Sequence, residues 1–309
     1  MRNFQLPGRS PARATDAMAA TSHPLSTLAA LDILRAGGNA VDAAICAAAV
    51  QAVVEPQSTG IGGDCFVLMC LKGQEPVIAL NGSGRAPAAA TIDAFRQLGL
   101  EGVPTYGPHA VTIPGAVDAW CRLSADHGRL GLGAVLAPAI HYAQTGYVVQ
   151  DRVAYDWANA SDLLAQDAGS AAIFLPGGRA PRAGERHSQP ALAQTLRLIA
   201  EQGRAAFYEG PVAEAIVARL RALGGLHAMA DFAATKADYV QPVSAGYRGY
   251  QIHQMPPNNQ GLTALLMLNI LSGFPLSGLA PLGPERLHLE IEAARLAYRD
   301  RNACLGDLP

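Results

Sequence analysis

Charged residues are scarce in this chain. Of its 309 residues only 16% are Asp, Glu, Lys or Arg, the net charge is −2, and no run of like charges occurs. The basic surface that attracts nucleic acids or anionic membranes is therefore missing, and neither partner is expected. The hydrophobic content of 50% predicts a globular protein with a large buried core, and the low charge leaves room for a large partner interface.

The cysteines form no recognisable pattern. Five is an odd number, the spacing is irregular and no CxxC pair occurs, which argues against a disulfide framework. We expect reduced core residues at these positions, which are Cys46, Cys65, Cys70, Cys121 and Cys304. The first ten residues also lack the apolar stretch of a signal peptide, so we expect a cytoplasmic protein.

The common cofactor and catalytic motifs are missing as well. Neither GxGxxG nor GxxxxGK[ST] is present, and the glycine cluster at 60–64 precedes an expected strand, so we expect a closely packed or pocket-lining loop there instead of a nucleotide site. His288 and Glu292 lack the HExxH spacing, and no metal or cofactor is expected. No complete catalytic set remains among the other candidates, which are Ser58, Thr59, Cys65 and His23. His23 is expected to be a capping or core-edge group and not a catalytic base.

Residues 37–66 carry most of the local structural information. Gly37 and Gly38 are placed to end one helix, and Asn39 with Asp42 has the spacing of a capping box for the next. From 40 to 54 almost every residue is apolar, which predicts a helix buried on all sides. At this length it falls short of the roughly 20 residues that cross a bilayer. We therefore expect a central core helix that leads into a flexible glycine loop at 58–63.

The remaining elements predict an α+β or layered α/β chain. Apolar runs at 65–71 and 77–80 indicate a hairpin buried on both faces, and shorter strands are expected at 17–21, 110–112 and 248–255. Leucines at 25, 28, 31 and 34 indicate the buried face of a first helix. Further helices are expected at 116–127, 132–145, 150–166, 189–203, 210–223, 228–238, 262–272 and 284–303.

An arginine stands on the glycine-rich loop at 81–87, directly after the second strand of the hairpin. The planar guanidinium of Arg85 could bind a carboxylate through two parallel hydrogen bonds. The alternative is an arginine that only faces solvent. The residues of the loop alone leave both possibilities open.

A series of segments resembles the γ-glutamyltransferases (glutathione hydrolases). The resemblance covers nearly the whole chain in order, through residues 20–25 (ATSHPL), 37–44 (GGNAVDAA), 55–56 (EP), 60–63 (GIGG), 85–87 (RAP), 113–115 (IPG), 137–139 (APA), 207–210 (FYEG), 231–232 (DF), 247–250 (YRGY), 255–257 (MPP) and 305–307 (LGD).

The resemblance implies an Ntn-hydrolase fold, a four-layer αββα sandwich. In that family a precursor cleaves itself before a threonine, which then attacks the γ-glutamyl amide with its own α-amine as base. The threonine lies downstream of the segment that matches 305–307, so we expect the nucleophile beyond Pro309. Residues 1–309 are then one large-subunit domain, inactive without the downstream small subunit.

The resemblance departs from the family at the substrate contact. The family's carboxylate-binding arginine matches the position of Ser83, and Arg85 stands two residues later. Arg85 and Ser83 are therefore the candidate substrate-binding residues, with loops 60–63 and 256–261 shaping the pocket. The substrate is expected to be a small γ-glutamyl compound such as glutathione. The alternatives are a branch acting on other amides, such as glutaryl-cephalosporins, and a non-catalytic binding or scaffold homologue.

Overall fold

The computed structural model describes residues 10–306. By their internal contacts these residues divide into two compact units, the first formed by 10–63 and 84–235 and the second by 64–83 and 236–306. The organisation of the chain as one large-subunit domain stays a prediction.

Helices dominate the described chain. They are α1 (Pro24–Arg35), α2 (Ala40–Val54), α3 (Ile92–Gln97), α4 (Ala116–His127), α5 (Gly131–Thr145), α6 (Asp151–Asn159), α7 (Ser161–Leu164), α8 (Ala168–Phe174), α9 (Pro190–Gln202), α10 (Arg204–Tyr208), α11 (Pro211–Ala222), α12 (Met229–Ala234), α13 (Gly261–Ser272) and α14 (Pro284–Cys304). The strands are β1 (Cys65–Met69), β2 (Ile78–Gly82), β3 (Tyr147–Val148), β4 (Arg186–His187), β5 (Asp238–Val240), β6 (Val243–Tyr247) and β7 (Tyr250–Gln254). The expected α+β class is confirmed.

The core of the first unit forms around α2, as predicted. Asn39 accepts hydrogen bonds from the backbone amides of Val41 and Asp42 at 2.9 and 3.1 Å, and Asp42 accepts from the amide of Asn39 at 3.0 Å. The capping box is therefore confirmed. Asp42 is fully buried and also accepts from the amide of Arg129, which lies in the connection between α4 and α5. The N-terminus of α2 is thus tied to a distant part of the chain.

Helix α1 buries a different face from the one its leucines indicated. Its buried residues are Ser26, Ala29, Ala30 and Ile33, whereas Leu28 is 46% exposed. A spacing of three residues drifts by about 60° per step around a helix of 3.6 residues per turn, so a row of four leucines moves halfway around the helix. Small residues face α2 instead, which lets the two helices approach closely.

The second unit contains a three-stranded antiparallel sheet in the order β1-β2-β5. The predicted hairpin is confirmed, with Cys65 opposite Gly82 and Met69 opposite Ile78. The prediction that both strands are buried is wrong for β1, where Leu68 is 39% exposed, while Leu80 of β2 is fully buried. The difference follows from the strand order, because β1 lies at the edge of this sheet and β2 at its centre.

The rest of the second unit is a β6–β7 hairpin with α13 and α14. Its buried cluster is formed by Leu271, Leu276 and Ala293, against which Tyr247 and Leu289 pack. The predicted strand at 248–255 is confirmed as β7, whereas its partner β6 and strand β5 were not predicted. Both are short, and β6 contains small residues that give a weak alternating pattern.

Two other strand predictions are wrong. Residues 17–21 and 110–112 form no strand, and residues 108–110 instead make one turn of 3-10 helix. A short apolar stretch becomes a strand only where another strand is available to pair with it. The prediction of core cysteines holds for Cys46 and fails for Cys70 and Cys304, which are exposed. Within the described residues, no helix is both long and apolar enough to cross a membrane, and the cytoplasmic location stays a prediction.

Candidate substrate-binding loop

Arg85 projects from a loop whose backbone is held tightly in the first unit. The carbonyl of Arg85 accepts a hydrogen bond from the amide of Ile113 at 2.9 Å. A Cβ built on Gly84 would lie 1.4 Å from the carbonyl oxygen of Ile113, so only glycine fits there. The Arg85 side chain is exposed. The structure therefore combines a fixed backbone with an exposed residue.

The downstream end of this loop is also anchored. The amide of Ala88 donates to Oδ1 of Asp231 at 3.0 Å, and the amide of Ala228 donates to Oδ2 of the same carboxylate at 2.8 Å. Pro87, between the two anchor points, is buried. Residues 84–88, which we call the pinned loop, are thus held by Ile113 at one end and by Asp231 at the other.

The segment that holds the pinned loop continues directly into α4. The amides of Gly115 and Ala116, at the start of this helix, both donate to the carbonyl of Gly63 at 3.0 Å. These are among the amides that a helix N-terminus leaves without an internal partner. Gly63 therefore terminates the first glycine loop by capping α4.

The other glycines of that loop show no close neighbours among residues 10–306. A Cβ on Gly60 or Gly62 would meet nothing within 4 Å. These glycines were expected either to allow close backbone contact or to line a pocket. The first expectation is wrong for Gly60 and Gly62 within the described chain. The pocket-lining role of the loop stays a prediction.

A buried tyrosine supports the segment between the pinned loop and α4. The Tyr208 hydroxyl donates to the carbonyl of Pro114 at 2.7 Å and accepts from the amide of Asp118 at 3.0 Å. Tyr208 is fully buried, and this burial raises the pKa of its hydroxyl above the ordinary value, which keeps the proton in place. Two backbone groups that cannot reach water are thereby satisfied by one side chain.

Arg204, on the same helix as Tyr208, extends this support to α12 and to the residue that follows it. Its Nε donates to the Asp118 carboxylate at 2.6 Å, and its Nη2 donates to the carbonyls of Ala233 and Thr235 at 2.9 and 2.7 Å. The Asp118 side chain is only 7% exposed. The sequence alone indicates no role for Arg204, Asp118 or Tyr208. The one signal is that Tyr208 lies in the segment at 207–210, which resembles the family.

Ser83 belongs to the second unit, where it meets two asparagines. Its amide donates to Oδ1 of Asn81 at 2.9 Å, and Nδ2 of Asn81 donates to Oδ1 of Asn258 at 3.1 Å. Nδ2 of Asn258 in turn donates to the Ser83 hydroxyl oxygen at 2.8 Å. All three residues are partly buried. Asn258 lies on the 256–261 loop, which the sequence marked only as a pocket-shaping segment.

Two other residues considered in the sequence, His23 and Glu292, make contacts with neighbouring residues in the chain. Nδ1 of His23 accepts from the amide of Leu25 at 3.1 Å and caps α1, as predicted. Burial lowers its pKa, although the nearby Glu55 carboxylate acts in the opposite direction. Glu292 pairs with Arg295 at 2.8 Å. Among residues 10–306, no group of three or more His, Cys, Asp or Glu side chains is placed to hold a metal ion.

A cavity of about 780 Å³ opens beside the pinned loop, in the first unit. Its walls include Pro87, Phe95 and Val111, and the rings of Phe95 and His109 meet edge to face at 5.8 Å. Walls of this kind suit an apolar group better than a carboxylate.

Known proteins resemble this chain along most of its length. The family profile described as Gamma-glutamyltranspeptidase matches residues 26–309. The glutathione hydrolase-like YwrD proenzyme of Bacillus subtilis is 41% identical over 294 residues, which cover 95% of this chain and 56% of that protein. The chain thus spans little more than half the length of this relative.

Two solved structures share the fold at substantial identity. The cephalosporin acylase from Bacillus halodurans is 42% identical with a TM-score of 0.86, over 95% of this chain and 57% of that one. The γ-glutamyltranspeptidase of Helicobacter pylori is 32% identical with a TM-score of 0.90, over 96% of this chain and 86% of that one. Both solved structures therefore match nearly the whole length of this chain.

Proposed function

Because the chain belongs to the γ-glutamyltranspeptidase family, we propose that it is the large-subunit part of an amidase that hydrolyses or transfers γ-glutamyl or closely related acyl groups. The observation that carries the proposal is the pinned loop, whose backbone is fixed by Ile113 and Asp231 while the Arg85 side chain stays exposed. A contact whose backbone is already ordered loses less conformational freedom on binding.

The proposed reaction needs a nucleophile from the downstream small subunit. The hydroxyl of its N-terminal threonine adds to the amide carbonyl and passes its proton to the threonine's own α-amine. The C–N bond then breaks, and the departing amine takes up that proton. Water hydrolyses the resulting ester, or an amino acid accepts the acyl group. In this scheme the present chain binds the acyl group and is inactive by itself.

We assign the acyl carboxylate to Arg85. A guanidinium offers a planar pair of donors that matches the two oxygens of a carboxylate, and Arg85 is the only cation at 81–87. Hydrogen bonds to charged groups contribute about 1.5–3 kcal/mol, which corresponds to roughly 10- to 150-fold in kcat/KM. Ser83, at the position matched by the family's arginine, is the second candidate for this contact.

The assignment is tested on the processed full-length enzyme with a γ-glutamyl anilide. Arg85→Ala should raise KM at least tenfold. The KM of Arg85→Lys should lie between those of the wild type and of Arg85→Ala, because lysine keeps the positive charge but lacks the planar pair of donors. The matched control is Arg96→Ala, an exposed arginine of α3 in the same unit. An unchanged KM in Arg85→Ala would remove Arg85 from the site.

A second substrate class is favoured by the neutral Ser83 and by the likeness to the cephalosporin acylase. Glutaryl and γ-glutamyl groups share the distal carboxylate and differ in the α-ammonium group. A glutaryl anilide and a γ-glutamyl anilide therefore distinguish the two classes by their ratio of kcat/KM. A full-length precursor that neither cleaves itself nor hydrolyses either compound would instead favour the non-catalytic scaffold.

A further inference from the structure

Another cavity of the first unit has walls in which most of the side chains are polar. Its volume is about 470 Å³, and it lies between the start of α1, the end of α2 with the turn that follows, and the start of α6. The charged residues that line it are Glu55, Asp151, Asp156 and Arg152. Nε of Arg152 is already paired with Oδ2 of Asp156 at 2.6 Å. The cavity therefore has a net negative charge and suits a cation.

Glu55 provides this cavity with a largely buried carboxylate. The residue is 8% exposed, and its Oε2 accepts a hydrogen bond from the hydroxyl of Ser22. Its Oε1 has no hydrogen-bond or ion-pair partner among residues 10–306 and retains accessible surface. A buried carboxylate is costly unless its charge is paired, and each of its oxygens can accept about two hydrogen bonds. Oε1 of Glu55 is thus available to a cationic donor.

His23 adds a donor to the same cavity. Its Nδ1 accepts from the amide of Leu25, and a backbone N–H can only donate, so Nδ1 carries no proton. The imidazole is therefore neutral, with its proton on Nε2. His23 lines the cavity and is 2% exposed, and Nε2 has no hydrogen-bond partner in the part of the chain that the structure describes. A buried N–H without a partner is unfavourable, so a ligand that offers an acceptor would be stabilised here.

We propose that this cavity binds a small α-amino amide, whose ammonium group donates to Glu55 and whose carbonyl accepts from Nε2 of His23. One compact ligand can make both contacts, because the charge of Glu55 is near enough to His23 to affect its pKa. Oε1 of Gln57, buried without a partner among residues 10–306, is a further acceptor for an N–H of the ligand. A free amino acid is disfavoured, because its carboxylate would add negative charge to a negative cavity.

The test is a calorimetric titration of the full-length protein at pH 7 with three probes, which are glycinamide, ethylamine and glycine. Glycinamide carries the ammonium group and the carbonyl, ethylamine carries only the ammonium group, and glycine has a carboxylate in place of the amide. We expect glycinamide to bind about fivefold more tightly than ethylamine, because it makes one additional neutral hydrogen bond. Glycine should bind more weakly than glycinamide because of its second charge.

Three variants assign the two contacts. Glu55→Gln keeps the shape and an oxygen for Ser22 but removes the charge, so it should weaken glycinamide and ethylamine alike, by about tenfold or more. His23→Asn keeps an acceptor for the helix cap but lacks the Nε2 proton, so it should weaken glycinamide about fivefold and ethylamine less than about twofold. The matched control is Glu201→Gln at an exposed position of α9 in the same unit, which should leave both affinities unchanged.

The comparison of probes on the wild type decides the proposal even if a variant fails to fold. A wild type that shows no saturable binding, as expected of a cavity that holds only water, overturns the proposal. Equal affinities for glycinamide and ethylamine overturn it as well. So does a folded Glu55→Gln protein with wild-type affinities, or a His23→Asn protein in which both probes weaken equally. The proposed amidase function is judged separately, by hydrolysis of the anilides.

Discussion

Substitution of Gly84 by alanine should destabilise the first unit strongly. The new Cβ would lie 1.4 Å from the carbonyl oxygen of Ile113 and 2.6 Å from its carbonyl carbon, so the two backbone segments must separate. Separation breaks the 2.9 Å bond between the Ile113 amide and the Arg85 carbonyl. Gly84 has no φ in the left-handed region, so the penalty is entirely steric.

The magnitude follows from two contributions. An overpacked site costs about 1–3 kcal/mol, and leaving a buried amide such as that of Ile113 without a partner costs about 1–3 kcal/mol. The free energy of unfolding should therefore fall by about 2–6 kcal/mol. Arg85 should also lose its position, so KM for a carboxylate-bearing anilide should rise in the same variant.

Urea denaturation followed by tryptophan fluorescence measures this effect. Both tryptophans of the chain, Trp120 and Trp157, lie in the first unit and report on it. The control is Gly133→Ala on α5, where a Cβ meets nothing within 4 Å and helix propensity favours alanine by up to about 1 kcal/mol. A Gly84→Ala protein as stable as Gly133→Ala would refute the reasoning.

Two further predictions concern the support of the site and its pH dependence. Tyr208→Phe removes the hydroxyl shared by Pro114 and Asp118, so the free energy of unfolding should fall by about 1–3 kcal/mol in urea denaturation; a change below 0.5 kcal/mol would contradict the shared hydrogen bonds. Burial lowers the pKa of His23 below its usual value of about 6.5, so the folded state binds fewer protons than the unfolded one, and stability is lost as the pH falls below 6.5 toward the folded pKa. His23→Asn keeps a capping acceptor and should flatten the pH dependence of the free energy of unfolding between about pH 5 and 7. The control His141→Asn, at an exposed position, should leave this pH dependence unchanged. Equal pH dependence in both variants would exclude His23 as the cause.

The sequence predicted those elements whose causes lie within a few residues. The capping box of Asn39 and Asp42 and the apolar run that follows specify α2 locally, and both are confirmed. The hairpin of β1 and β2 was predictable for the same reason. The burial of β1 was not, because it depends on which strand lies at the edge of the sheet. That order is decided by β5, more than 150 residues later.

The contacts of the candidate site were less accessible to prediction. Arg204 and Asp118 are 86 residues apart, and Asn81 and Asn258 are 177 apart. Each residue alone resembles an ordinary surface polar group. Only the fold brings the two members of each pair together, so their spacing in the sequence does not indicate either hydrogen bond. Gly84 is an intermediate case, since the sequence marks a flexible loop but not the neighbour that excludes a Cβ.

The buried carboxylate of Asp42 has a consequence for the order of events in folding. It accepts from the amide of Asn39 in its own helix and from the amide of Arg129 in the α4–α5 connection. The side chain of Asn39 in turn donates to the carbonyl of His127. The side chains of Asn39 and Asp42 therefore make all of their hydrogen bonds only when a segment nearly 90 residues later has docked. Protons on the amides of Asn39 and Arg129 should exchange with solvent through one common opening, with the same free energy.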